Sequence, residues 1–300
     1  MVIARLIADN SDWKTRVDEM YRALDGKLSN VRPQLGPNSV VRLPIEPTVL
    51  ELRFTFDDFG VALNILDKHF AQSDLLLSHR PIEVPKLFVS DMDSTMIEQE
   101  CIDELADFAG LKDRISEITE RAMQGELDFE TALLERVELL KDLDESAIDQ
   151  CLRERITPTP GARILTQTLK AHGARTVLVT GGFHHFADRV AEWLGFDRVV
   201  GNRLGVSEGK LTGLLDGPIS DAKTKLATLR EEEAALGVGG HVLASGDGAN
   251  DIPMLEEAHY GFAYRAKPKA REKANGRVDQ GDLTAILSLL GIPKEKWIGS

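Results

Sequence analysis

Apolar positions along the chain fall into short runs and helical stripes that alternate with one another. Side chains alternate faces along a strand and return to one face every three to four residues on a helix, so the two periods separate the two kinds of element. Over residues 1–80 the runs VIARLIA, SVVRL, TVLELRFTF and SDLLLS read as strands. DWKTRVDEMYRALDG reads as a helix ended by Gly26, and DDFGVALNILDKHF as a helix capped by aspartate. The order is strand, helix, strand, strand, helix, strand, a βαββαβ unit. SHRPIEVP, with two prolines, follows as a linker.

Beyond it, KLFVS, RTVLVTGG, RVVGN, HVLASGD and GFAY read as strands, GFAY being the last. They alternate with helices over TPTPGARILTQTLKAHG, HHFADRVAEWLG and DAKTKLATLREEEAALG, and with a hairpin in LGVSEGKLTG around Glu208-Gly209. Between the DMDSTMIEQECIDEL stretch that follows KLFVS and Pro158 lie about fifty residues with helical periodicity and no strand signal. The expected class is α/β. A Rossmann-like doubly wound parallel sheet would occupy 84–105 and 158–292, with an inserted helical cap over 106–157. An N-terminal ferredoxin-like or ACT-like α+β domain would occupy 1–80. Open α/β sheets bind ligands at the carboxyl ends of their strands, so an insertion after the first strand would cover that site.

Composition narrows the function. A chain of 300 residues with a hydrophobic fraction of 42% is ordinary for a globular protein of about two domains. The net charge of −13 disfavours binding to a nucleic-acid backbone, which needs clustered Lys and Arg. It also means that an anionic substrate must be received by local positive charge or a metal. Cys101 and Cys151 have no CxxC spacing, which suggests free thiols and a reducing cytoplasm. The start MVIARLIADN lacks the long apolar stretch of a signal peptide, and no run approaches the length of a membrane span.

Candidate chemistry gathers at predicted strand ends. DMDSTMIEQECIDEL follows the strand KLFVS, and its spacing aims Asp91 and Asp93 to one side. Alone, that pair also reads as a turn or helix cap. Thr180-Gly181-Gly182 ends the next strand, Lys223 or Lys225 lies on a later helix, and SGDGANDIPM carries Asp247, Asn250 and Asp251. Each is weak singly; a TGG is often a turn and a helix lysine a solvated charge. Together, in this order on one sheet edge, they form a specific pattern.

That order resembles the haloacid dehalogenase superfamily of aspartyl phosphotransferases. DMDSTMIEQECIDELA, RITPTPGA, GGF, GKLTG, GDGANDIPM and AKPKAREKA are similar to the phosphoserine phosphatases within it, over roughly residues 84–290. The resemblance implies hydrolysis of O-phospho-L-serine, the last step of serine biosynthesis. Asp91 would be the nucleophile and Asp93 the general acid and base. Lys225, preferred to Lys223 by its spacing to Leu229, would neutralise the transferring group. Thr180, where this family more often has Ser, and the Gly181 N–H would bind phosphoryl oxygens, and Asn250 joins the substrate-binding set. Mg²⁺ would be held by Asp91, Asp247 and the backbone carbonyl of Asp93, with Asp251 orienting from behind.

Substrate choice is expected from the insertion. On the stripe Phe129, Leu133, Arg136, Leu140 the charge of Arg136 is anomalous. It reads either as a snorkelling side chain or, by the resemblance, as the grip on the substrate carboxylate. The resemblance also gives Glu100 the ammonium group and makes Met123 and Phe129 pocket walls. His184 and His185 read as helix-start residues without a role, and AYRAKPKAREKANGR as a basic stretch that packs near the edge of the site and is no nucleic-acid patch. Two rivals remain: a phosphotransferase to another alcohol such as homoserine, and a catalytically dead amino-acid-binding regulator. ACT-like units often pair edge to edge, so a homodimer through the N-terminal domain is a further expectation.

Overall fold

The computed structural model describes residues 1–7, 12–25, 40–42, 48–123, 126–237, 239 and 241–299. Gly26, expected to end the first helix, lies outside them. The N-terminal unit runs β1 (Val2–Ile7), α1 (Trp13–Asp25), β2 (Val40–Arg42), β3 (Val49–Phe54), α2 (Phe59–His69) and β4 (Asp74–Ser78). Its strands are antiparallel in the order β2-β3-β1-β4. Asp58 caps α2 by accepting the Val61 N–H at 3.0 Å. Strand alternation divides β1 between two interiors: Val2, Ala4 and Leu6 pack with Val17, Met20 and Leu66, while Ile3 joins the main core.

The second unit begins with β5 (Leu87–Ser90), followed by α3 (Cys101–Phe108), α4 (Lys112–Met123), α5 (Phe129–Leu139) and α6 (Ser146–Arg155). Then come α7 (Ala162–Ala171), β6 (Arg175–Phe183), α8 (His184–Leu194), β7 (Arg198–Asn202), β8 (Leu204–Ser207) and β9 (Lys210–Leu215). The chain closes with α9 (Ala222–Leu236), β10 (Val242–Gly246), α10 (Ile252–Glu257), β11 (Tyr260–Tyr264), α11 (Pro268–Lys273), β12 (Gly276–Val278) and α12 (Thr284–Leu290). Strands β12-β11-β10-β5-β6-β7 pair in parallel. Leu87 and Val89 face one core and Phe88 the other, so helices cover both faces, as the continuous apolar run of this strand implies. The β8–β9 hairpin turns through Glu208 and Gly209, both at positive φ, the geometry a tight two-residue turn demands.

One expectation changes here. GFAY is not the last strand: β12 follows it. Its three residues, with Arg277 in the middle, carry no periodic signal; the strand is specified by its neighbours on both sides. β4 pairs antiparallel with β12, joining both units into one ten-stranded sheet. Asp74, 3% exposed, accepts the N–H groups of Asp279, Gln280 and Gly281 at 2.7–2.9 Å. Arg5 bonds Glu51 at 2.9 Å and the Leu289 carbonyl at 3.0 Å, and Arg277 pairs with Asp67. Within SHRPIEVP, Ile82 is buried and the Glu83 N–H donates to the Tyr260 hydroxyl. No helix among the described residues is long and apolar enough to cross a membrane.

Candidate active site

The cleft opens where β5, β6 and β10 end. β5 and β10 are neighbours, tied by the Ser90 and Ser245 hydroxyls at 2.8 Å and by the Asp91 N–H to the Ser245 carbonyl at 2.9 Å. The residues after them, Asp91 and Asp247, therefore emerge side by side. Lys225, entirely buried on α9, puts its Nζ 2.7 Å from Asp91 Oδ1 and 2.6 Å from Asp251 Oδ1. Asp251 Oδ2 accepts the N–H groups of Asp247 and Gly248. A side chain on Gly246 would run into the Asp251 carboxyl, so the glycine there is a steric requirement. Lys223, two residues before Lys225, is exposed.

Asp93 lies beyond the strand, where it accepts the Cys101 N–H at 3.3 Å at the start of α3. The cap reading of this aspartate and its place in the cleft thus coexist. A Cβ on Gly182 would sit 2.8 Å from Asp93 Oδ2, so the second glycine of the pair makes room for the carboxylate. Thr180 Oγ1 accepts the Gly182 N–H at 2.8 Å.

The opposite side comes from the helices after β5. Arg136 projects from α5, its Nε donating to the Ala132 carbonyl at 3.2 Å. Glu100, exposed at the start of α3, accepts the Ser94 hydroxyl at 2.7 Å. Phe129 heads α5 and covers Gly181, where a Cβ would come within 3.3 Å of its ring. The segment directly after α5 is tied to β9 through the Asp142 N–H to the Leu211 carbonyl and the Leu211 N–H to the Leu143 carbonyl. The space enclosed is about 110 Å³, lined by Asp91, Asp93, Glu100, Phe129, Arg136, Thr180, Gly181, Asp247 and Asn250. The Met123 side chain lies outside the described residues. His184 and His185 do not line this space; His184 pairs with Asp188.

Lys267, from the basic stretch AYRAKPKAREKANGR, borders the cleft. Its N–H donates to the Asp247 carbonyl at 2.9 Å and its Nζ stands 3.7 Å from Asp247 Oδ2. The available signal was its position directly before Pro268, which starts a helix.

Burial dominates the electrostatics. It pushes Asp93 up to about 7, with Glu100 adding repulsion and the Cys101 N–H opposing. It pushes Asp247 up to about 6, against the pull of Lys267. Burial works against the charge on Lys225, but Asp91 and Asp251 outweigh it and raise its pKa. Burial and Asp251 push Asp91 upward while Lys225 opposes. An uncharged Asp91 conflicts with a lysine held charged by it; two oxygens within 2.7 Å of one ammonium favour the ion pair. Arg136 is lowered by burial, partly offset by Asp103 and Glu100.

Carboxylate oxygens of Asp91, Asp247 and Asp251 all lie within 4.8 Å of one another. Asp251 spends both oxygens on Lys225 and two backbone N–H groups, leaving Asp91 and Asp247 as the open donors. A hard divalent ion fits this set: one or two carboxylates, with substrate and water completing the shell, is the usual Mg²⁺ arrangement.

Residues 88–256 match the model of the haloacid dehalogenase-like hydrolase family. The chain is 43% identical over 211 residues to a phosphoserine phosphatase of Archaeoglobus fulgidus, covering 70% of this chain and 61% of that one, less than two thirds of the relative's length. It is 41% identical over 251 residues to a phosphoserine phosphatase of Haemophilus influenzae, covering 78% and 80%. A crystal structure of a HAD family hydrolase from Salmonella enterica subsp. enterica serovar Typhi superposes with a TM-score of 0.80 at 27% identity, over 97% of this chain and 99% of that one.

Proposed function

Since the chain belongs to the haloacid dehalogenase-like hydrolases, we propose that it is a Mg²⁺-dependent phosphatase that converts O-phospho-L-serine to L-serine and phosphate. The observation that carries this reading is the pairing, in one small cleft, of a carboxylate floor of Asp91, Asp93 and Asp247, backed by the buried Lys225, with a wall bearing Arg136 and Glu100. Phosphoserine presents a phosphoryl group at one end and a carboxylate and an ammonium at the other. The cleft offers the complement of each.

Asp91 Oδ1 is engaged by Lys225 and by the Met92 N–H at 2.8 Å, which leaves Oδ2 as the attacking atom. A bond forms from Oδ2 to phosphorus as the bond to the serine oxygen breaks. Asp93, with its pKa near neutrality, gives its proton to the departing oxygen. Asp93 then takes a proton from the water that attacks the phosphoaspartate, which releases phosphate and restores Asp91. Lys225, Thr180 Oγ1 and the Gly181 N–H meet charge on the phosphoryl oxygens, and Asn250 lines the same end. Mg²⁺ would be held by Asp91, Asp247 and the Asp93 carbonyl, where it would neutralise phosphoryl charge; Asp251 orients Lys225 and the Asp247 loop. Arg136 holds the substrate carboxylate, Glu100 the ammonium, and Phe129 and Met123 wall the pocket.

In this reading residues 106–157, with α4–α6, form the cap, and the N-terminal unit is ACT-like, its strand order being that of two interleaved βαβ units. Pairing of two chains would use β2, because β4 is already engaged with β12. Buried free thiols at Cys101 and Cys151 suit the cytoplasm. The test is phosphate release from a panel of phosphorylated metabolites with and without Mg²⁺. Phosphoserine should stand out only with the metal; full activity in excess chelator, or no preference for phosphoserine, defeats the assignment. Adding homoserine and analysing products separates hydrolysis from transfer.

A further inference from the structure

β6 leaves its ladder where it reaches the cleft. It pairs with β5 as far as Leu178 and with β7 as far as Val179↔Val200, and meets β7 again only at Phe183↔Asn202. Three residues of β6 therefore oppose one of β7. Thr180, Gly181 and Gly182 are lifted out of register, and buried backbone groups that leave a ladder need other partners.

Two side chains supply them. Ser220 Oγ donates to the Thr180 carbonyl at 2.8 Å, and Asn202 Nδ2 donates to the Gly181 carbonyl at 2.8 Å. Asn202 Oδ1 accepts the Ser220 N–H, also at 2.8 Å, linking the two donors to each other. Asn202 is 1% exposed and Ser220 3%, so neither competes with water for these bonds. Neither residue lines the cleft.

The peptide bonds here are trans, which points each C=O opposite to the N–H of the same unit. Pinning the Thr180 carbonyl therefore aims the Gly181 N–H. Pinning the Gly181 carbonyl aims the Gly182 N–H, which donates to Thr180 Oγ1. Because that oxygen already accepts a bond, its own proton is turned to a different acceptor. We propose that Asn202 and Ser220 are positioning residues for the phosphoryl group, aiming the Gly181 N–H and the Thr180 hydroxyl at it without touching it. This rests on the reading of the Thr180–Gly182 turn as the phosphoryl-binding end of the cleft. Oriented donors that need no rearrangement as charge develops are the most effective kind, so the brace acts on binding and turnover together.

The experiment is titration of inorganic phosphate into the full chain in Mg²⁺ buffer by calorimetry, beside steady-state hydrolysis of phosphoserine and an aryl phosphate. S220A should weaken phosphate binding about tenfold or more and lower kcat/KM on both substrates by one common factor, since both carry the same phosphoryl group. S220T, which keeps the hydroxyl, should lie within a few-fold of wild type. N202D, which can no longer donate to the Gly181 carbonyl, should repeat the loss. Thermal melting of each variant reports folding independently; S220C replaces S220A if the latter does not fold. Wild-type phosphate affinity in a folded S220A or S220C overturns the proposal, as does a loss on phosphoserine alone. A wild type that binds phosphate but leaves phosphoserine intact defeats the substrate assignment, while the brace is still judged on phosphate binding.

Discussion

Lys225 beneath the floor of the cleft and Arg136 on its wall are both cations carried by helices, and their surroundings differ. Lys225 is fully buried between two carboxylates, one of which is anchored by two backbone N–H groups. Arg136 is half-buried and hydrogen-bonded to a carbonyl of its own helix one turn back. Glu100, across from it, is exposed and bonded to a serine hydroxyl. The floor closes on itself before any ligand arrives, and the wall keeps its charges for one. Under the proposed function the difference has a reason: phosphoryl chemistry needs fixed dipoles where charge develops, while recognition needs groups that trade water for substrate.

That contrast orders the tests. Removing the proposed nucleophile should have the largest effect: Asp91→Asn should bring phosphate release down to background in a chain that still melts cooperatively. Retained turnover, with deamidation of the new asparagine excluded by mass spectrometry, would take Asp91 out of that role. Asp93→Asn should cost roughly 10²- to 10⁴-fold on phosphoserine, the range of general acid–base groups. The cost should be smaller on nitrophenyl phosphate, whose leaving group departs without a proton; equal losses would show that Asp93 does not protonate the leaving oxygen.

On the wall, Arg136→Ala truncates one partner of a charge pair, worth about 2–5 kcal/mol. That is roughly thirty- to several-thousand-fold in kcat/KM for phosphoserine at about 1.4 kcal/mol per decade. Hydrolysis of an aryl phosphate, which has no α-carboxylate, should stay within a few-fold of wild type. A parallel drop on both substrates would mean that Arg136 supports the wall rather than reads the ligand.

The smallest effect concerns the metal and pH. In the folded chain Asp247 titrates at about 6 and Asp93 at about 7, against 3.8 for an ordinary aspartate. The folded state therefore holds more protons than the unfolded one between about pH 4 and 7, and these two groups reduce stability as pH rises through that window. For Asp247 alone the shift corresponds to roughly 3 kcal/mol. A divalent ion favours the charged carboxylates, so Mg²⁺ should raise Tm by several degrees near neutrality and by less near pH 5. An equal rise at both would mean that the ion binds away from these carboxylates.

Much of this was legible in the chain and some was not, for physical reasons. Continuous apolar runs announced β5, β6 and β10, and the polar residues directly after them announced the cleft. Arg136 announced itself as a charge on an apolar stripe. β12 was invisible because three residues around a buried arginine have no period; its neighbours define it. The joining of the two units was invisible for the same reason. Lys267 was hidden in a basic stretch whose charges look alike in one dimension. Asn202 and Ser220 left no trace, since their work is to satisfy carbonyls freed by a bulge, and nothing in a linear pattern marks where a ladder will break.

The pairing of β4 with β12 also sets a schedule. Leu76 meets Gly276, 200 positions later in the chain. At about 5–20 residues per second, ribosomal synthesis needs roughly 10–40 s to cover that distance. Throughout that interval the first unit, able to assemble its own small core, would present DLLLS as a bare edge, the kind of strand that recruits stray partners. Asp74 at the head of that strand is well suited to guard it. As a charge it repels an intruding apolar strand, and once the tail arrives it becomes the acceptor for three backbone N–H groups. A variant such as Asp74→Leu would therefore do harm twice, first as aggregation of nascent chains and then by leaving three backbone N–H groups of the mature fold without their acceptor.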